Sequence, residues 1–355
     1  MKNLEKTLAG IEGSYEWSKI KAKERLDNLA KPLGSLGQLE EIAIKLSGIT
    51  GKISNPMVNR QLIIMSADNG IVEEGVSSCP QSITAIQTIN FIKGVTGVGV
   101  LAKHAGAKLK VVDVGINGDI DYPGLYKRKI RKSTWNMAKG PAMTRQEGLK
   151  AIETGINMVE EAVKEGVQVL GTGEMGIGNT STSSAIIMAF TGYDADKIVG
   201  KGAGLTEEAF KNKKRVITQA LIINKPDKDD PLDVLSKVGG FDIGGMAGCF
   251  IGAAYHRIPI LIDGLISAAA ALLAYKLNPL VADYMFTSHC SAEPGYKTVV
   301  DILGLKPMLN LDMRLGEGSG CAIAFNILEA ANEVITNMAT FEEATIQNDY
   351  LIDIR

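Results

Sequence analysis

Short apolar runs at residues 62–65, 109–114, 167–170, 258–262, 284–288 and 309–313 punctuate this chain, and stretches with helical spacing separate them. None alternates strongly with polar residues, which is the pattern of parallel strands covered on both faces. Strands that alternate with helices restrict the chain to an α/β fold: a doubly wound, mostly parallel sheet flanked by helices. Such a sheet places its ligand sites beyond the C-terminal ends of the strands. The residues that end or follow the runs are Asp68-Asn69-Gly70, Asp113 with Gly115, residues 171–182, Asp263-Gly264, Ser288 with Ser291, and the loop around Glu317. Turn chemistry favours these residue types anyway. Their recurrence after all six runs points to one functional rim.

The helical stretches carry their own signals. Thr144 and Glu147 have capping-box spacing, and Leu149, Ile152, Ile156, Val159 and Val163 form one stripe, which predicts a helix over 144–164. Residues 14–30 predict a helix that 31–37 (KPLGSLG) breaks, and 36–48 predict another. The tail from about 341 to 355 is expected to pack back on these helices. Residues 1–50 with 338–355 would then form a small helical lobe beside a large catalytic α/β domain, 51–337. Residues 225–231 are the surface-loop candidate.

Composition narrows the partners. The 355 residues are 45% apolar and 22% charged, ordinary for a globular chain with a large core, and the net charge is -2. The only basic runs, 127–132 and 211–215, are too short for a nucleic-acid footprint. The most apolar region, 244–273, is interrupted by His256, Arg257, Pro259 and Asp263, so no membrane span is expected. Cysteines at 79, 249, 290 and 321 and histidines at 104, 256 and 289 show neither zinc nor disulfide spacing. This usage predicts a cytoplasmic, metal-free chain with a small-molecule partner.

Two glycine-rich stretches invite a phosphate. Residues 171–176 satisfy G-x-G-x-x-G after a predicted strand, the context of a dinucleotide fold. Two features disagree: Glu174 would put a carboxylate where pyrophosphate should lie, and the strand ending in a ribose-binding acid is missing. The continuation to Thr182 suits a single phosphate and a ribose instead. Gly200, Gly202 and Gly204 with Lys201 and Lys213 form a second cluster, equally readable as a loop between helices. Gln87 lies three residues past Thr84, so both share a helix face, and its amide suits the polar edge of a flat ligand. Cys79 has no nearby cation and reads as a packing residue. His104 reads as a helix end, and His289 beside Ser288 and Ser291 is a lesser site candidate. No Ser-His-Asp arrangement follows from the spacing.

Taken together, residues 31–37 (KPLGSLG), 68–75 (DNGIVEEG), 171–180 (GTGEMGIGNT), 236–246 (SKVGGFDIGGM), Asp263-Gly264, 288–293 (SHCSAE) and 314–320 (RLGEGSG) resemble the nicotinate-nucleotide:dimethylbenzimidazole phosphoribosyltransferase family, in order along nearly the whole chain. The resemblance implies a homodimer that moves the phosphoribosyl group of nicotinate mononucleotide onto an aromatic base, with no cofactor. It implies Glu317 as general base and Glu174 beside the reacting centre. Gly173, Gly176, Gly178, Asn179, Thr180, Gly202, Lys213, Ser291, Gly316 and Gly318 would hold the phosphoribosyl moiety. Cys79, Pro80, Gln87 and Leu315 would line the base pocket. Two residues depart from the family pattern: Cys79 where Ser is frequent, and Asn69 where His is common. The first leaves open whether benzimidazoles, purines or phenols are preferred. A nucleotide-binding module without chemistry and a dehydrogenase are the alternatives from other classes.

Overall fold

The computed structural model describes residues 3–353 except 203 and 350, so expectations placed on residues 1–2, 203, 350 and 354–355 lie outside the described residues. Six strands form one sheet: β1 (Arg60–Ala67), β2 (Ala107–Gly115), β3 (Leu125–Lys127), β4 (Val169–Met175), β5 (Ile260–Ile262) and β6 (Met285–Thr287). Their order is β3-β2-β1-β4-β5-β6 and every pairing is parallel. The order in which strands are added reverses between β1 and β4, and the crevice beyond such a switch point is where doubly wound folds bind ligands.

Both faces of the sheet are covered. A Cβ at Gly245 would lie 2.9 Å from the Met65 sulfur, so the helix Phe241–Tyr255 rests directly on β1. On the other face, a Cβ at Gly171 would lie 2.8 Å from both Leu62 and Cys321, so the helix Ser319–Asn337 rests on β4 and β1. All eight residues of β1 are buried, which explains a run without polar alternation. The helix Arg145–Lys164 starts with the expected capping box: the Thr144 hydroxyl accepts from the Glu147 N–H, and the Glu147 carboxylate accepts from the Thr144 N–H.

One strand expectation is corrected, and one strand was not expected. Residues 309–313 make only an isolated parallel bridge, His289 to Leu309, because the polar residues Asn310 and Asp312 interrupt the run and Asp312 turns left-handed at φ 53°. In their place β3 adds an edge strand of three residues, too short to stand out as an apolar run. The helix Glu16–Asp27 lies within the stretch expected for it, and Gln38–Thr50 extends two residues beyond the expected 36–48. Chain ends meet there: Leu29 bridges Thr340 antiparallel, the Ala30 N–H donates to the Ala339 carbonyl at 2.9 Å, and the Phe341 N–H donates to the Asn28 carbonyl at 3.0 Å.

Residues 83–104 have the length and apolarity of a membrane span, with 33% of the most apolar window buried. They form two short helices instead, Ile83–Lys93 and Gly97–His104, separated at Gly94, where φ is 72°.

Candidate active site

The switch point gathers carboxylates. β1 runs into Asp68, which accepts from the Thr84 hydroxyl at 2.7 Å and from the Asn117 N–H at 2.7 Å. That contact anchors the start of the helix Ile83–Lys93, so Gln87, one turn later, faces the strand ends. Its side-chain amide donates to Glu317 Oε1 at 2.7 Å. The Val98 N–H, in the first turn of the helix Gly97–His104, donates to Glu317 Oε2 at 3.2 Å. Amide donors, one of them in a first helical turn where backbone N–H groups lack intrahelical partners, therefore orient both oxygens of Glu317.

The loop that carries Glu317 is unusual backbone. Gly316, Glu317 and Gly318 have φ of 80°, 66° and 98°, and a left-handed glutamate persists only where its surroundings over-determine it. Two buried carboxylates from neighbouring strand ends do so. Asp263, after β5, accepts from the Gly318 N–H at 3.0 Å and the Gly320 N–H at 2.8 Å. Glu174, in β4, accepts from the Glu317 N–H at 3.2 Å.

Glu174 is also tied to Asp242: the Asn179 side-chain amide donates to Glu174 Oε2 and, at 3.2 Å, to Asp242 Oδ2. Burial pushes the Glu174 carboxyl up to about 7, against the hydrogen bonds it accepts, and the charges of Asp263 and Glu317 add to the rise. Asp242 is likewise pushed up to about 7 by burial and by Glu174, and Asp263 by burial to about 6. The pair bridged by Asn179 therefore keeps a proton near neutrality. A raised native pKa means the folded state holds the proton more tightly, so this contribution is present below the ordinary carboxylate range and is lost as pH rises through about 7. Thermal stability is expected to fall between pH 5 and pH 8, with each carboxylate worth on the order of a few kcal/mol. The double variant Glu174→Gln, Asp242→Asn should flatten that slope, and an unchanged slope would contradict the shared proton.

A second group of side chains lies at the start of the helix Asn179–Thr191. Lys213, 1% exposed, donates to the Thr180 hydroxyl at 2.9 Å and to the Gly200 carbonyl at 3.0 Å. Burial lowers its ammonium to about 8, with the charge of Glu293 opposing the shift. At neutral pH Lys213 remains mostly protonated.

A cavity of about 270 Å³ joins these parts. Of the residues singled out from sequence, it is lined by Glu317, Glu174, Cys79, Gln87, Leu315, Gly176, Asn179, Thr180, Gly202, Ser291 and Gly316. Gly178 and Lys213 line an adjoining cavity that shares Cys79, Asn179, Thr180 and Gly202 with the first. Three do not line either. Pro80 is exposed beside Cys79. Gly318 is turned to Asp263. Gly173 lies inside β4, where a Cβ would sit 2.2 Å from the Glu317 carbonyl oxygen. The glycines of 171–175 are thus strand residues, Gly171 admitting the helix Ser319–Asn337 and Gly173 the Glu317 loop, not a phosphate loop. Ile83, Met175, Ile177, Leu265, Ile266, Glu293 and Arg314 line the larger cavity without having been singled out for its chemistry. Of these, Met175, Ile177, Glu293 and Arg314 lie in the stretches 171–180, 288–293 and 314–320 that carry the resemblance, which is the signal the sequence offered. His289 lines it too, and its Nδ1 lies 3.0 Å from Ser288 Oγ and 4.0 Å from Asp263 Oδ1. Both neighbours share one ring nitrogen, so no proton relay through the imidazole results.

A family model described as Phosphoribosyltransferase (DBI_PRT) matches residues 11–346. The chain belongs to this phosphoribosyltransferase family. Among curated relatives, a nicotinate-nucleotide–dimethylbenzimidazole phosphoribosyltransferase of Clostridium tetani is 54% identical over 100% of this chain and 98% of that protein. One of the same name from Clostridium acetobutylicum is 56% identical over 97% of this chain and 98% of that protein. The crystal structure of CobT from Thermus thermophilus superposes with a TM-score of 0.90 at 37% identity, covering 94% of this chain and 99% of that one. The match spans the sheet, the glycine-rich rim and the Glu317 loop, so this phosphoribosyltransferase shares the fold as a whole rather than one motif.

Proposed function

We propose that the chain transfers the 5-phosphoribosyl group of nicotinate mononucleotide to 5,6-dimethylbenzimidazole or a related aromatic base, with inversion at C1′, giving the α-riboside phosphate and nicotinate for cobamide nucleotide-loop assembly. The observation that carries this reading is one continuous cavity system with Glu317, oriented by Gln87 and Val98, in its larger part and the buried Lys213 in the adjoining part. Lys213, Thr180, Gly176, Gly178 and Gly202 hold the phosphate and ribose; Asn179 and Glu174 sit beside C1′. Cys79, Ile83, Gln87 and Leu315 receive the flat base.

The chemistry follows from the bonds that change. Nicotinate departs as a neutral ring from a pyridinium, so the leaving group needs no acid. The azole that attacks from the opposite face must lose its ring proton as the new C–N bond forms. Glu317 takes that proton, and positioning supplies much of the remaining rate.

The same reading takes residues 1–50 with 338–355 as a small helical lobe, supported by the backbone pairing of Leu29 with Thr340, and the molecule as a homodimer. Exposed Ile86 and Val100 on the helices of 83–104, with Val95 between them, support the second point, and sedimentation should give twice the 37.8 kDa chain mass. Four unpaired cysteines support a cytoplasmic setting.

Incubation with nicotinate mononucleotide and separately with benzimidazoles, adenine and phenol, read by product mass, tests the proposal. Riboside phosphate products from the nitrogen bases are expected. A phenolic product alone would assign the chain to phenol activation, and nucleotide binding with no product from any base would leave a binding module.

A further inference from the structure

Glu293 belongs to no step of the transfer, yet its carboxylate reaches into the phosphate end of the cavity. It lies just before the helix Pro294–Leu303, and its side chain crosses to the loop between the helices Ala195–Ile198 and Glu207–Asn224. There Oε1 accepts from the Gly202 N–H at 3.2 Å. Oε2 is buried with no hydrogen-bond partner, and a Cβ at Gly200 would lie 1.8 Å from it. The same loop is gripped from the other side by Lys213, through the Gly200 carbonyl, and a Cβ at Gly202 would sit 3.5 Å from the Lys213 nitrogen. One backbone N–H and one ammonium, the two groups best suited to a phosphomonoester dianion, are thus both under the influence of a protein carboxylate.

Resting on the transfer reading above, we propose that Glu293 is a positioning residue that competes with the substrate phosphate for the Gly202 N–H and for the charge of Lys213. Two anions cannot share one N–H and one cation without repulsion, and at several ångströms in a partly buried site that repulsion is worth an order of magnitude or more in affinity. A phosphate entering this seat displaces the carboxylate, and the carboxylate returns as the product phosphate leaves. The effect is to weaken holding of any ligand by its phosphate alone, so that the base and ribose contacts decide which nucleotide stays.

The test is titration with inorganic phosphate by calorimetry, together with steady-state kinetics on nicotinate mononucleotide and on nicotinate riboside, which lacks the phosphate. Glu293→Gln keeps an acceptor for the Gly202 N–H and removes the charge. It is expected to tighten inorganic phosphate about ten-fold or more and to lower KM for the mononucleotide. It should not raise kcat, and it should leave KM for the riboside unchanged. Phosphate affinity that is unchanged or weaker in Glu293→Gln overturns the proposal, as does an equal change for mononucleotide and riboside, which would mean that Glu293 only shapes the loop. If that variant does not fold, Gly200→Ala serves instead. Its methyl group occupies the place of Oε2 and pushes the carboxylate out, so phosphate should again bind more tightly, and failure to do so overturns the proposal. Tighter phosphate with no turnover of the mononucleotide would sink the transfer reading and leave the role of Glu293 standing.

Discussion

Glu317→Gln is expected to lower the rate of nicotinate release in the presence of an acceptor base by about 10²–10⁴-fold, the usual worth of a positioned general base, while nucleotide binding stays within a few-fold. The substitution keeps the size of the side chain and an oxygen for either the Val98 N–H or the Gln87 amide. The Gln87 side chain can rotate to present its own oxygen to the new amine, so the loop need not move. What disappears is a lone pair that can accept the proton of the azole. Near-normal nicotinate release by this variant would remove Glu317 from the role of base and leave positioning as the source of the rate.

Gly173→Ala is expected to damage both stability and turnover, and this distinguishes it from the first variant. The added methyl group would meet the Glu317 carbonyl oxygen at 2.2 Å, the Glu317 carbonyl carbon at 3.0 Å and Ile64 at 3.1 Å. The first two are backbone atoms of a loop whose three consecutive left-handed residues are fixed by Asp263 and Glu174, so relief requires the whole loop to shift. A displacement of about 1 Å at a catalytic group costs on the order of 10²-fold in rate. The overpacking itself should cost roughly 1–3 kcal/mol of stability. Melting curves and kcat measured on one preparation check both. A stable Gly173→Ala with unimpaired turnover would mean that the strand and loop separate easily and that the close approach is incidental.

Much of this architecture is legible in the sequence where one physical signal dominates. The helix Arg145–Lys164 announces itself by a capping box and a stripe, and β1 by a buried run followed by Asp68. Glycine is harder to read, because it serves equally for a loop, a positive φ or close packing. Residues 171–175 look like a phosphate loop, yet they are strand, and their glycines leave room for the helix Ser319–Asn337 and the Glu317 loop. Residues 309–313 fail as a strand because alternating Asn310 and Asp312 leave no continuous apolar run. Asp242 and Glu293 were missed as site neighbours for another reason. Their relation to Glu174 and Gly202 spans 68 and 91 residues of chain, and only the fold brings them together.

Attack on C1′ from the face opposite nicotinate, as proposed, gives an α-riboside, and the stereochemistry of the product is the most direct test of the transfer. Nicotinate mononucleotide and 5,6-dimethylbenzimidazole, incubated with the protein and followed by proton NMR at the anomeric carbon, should give nicotinate and the α-riboside 5′-phosphate in equal amounts. A β-configured riboside, or nicotinate released without a matching riboside, would contradict it.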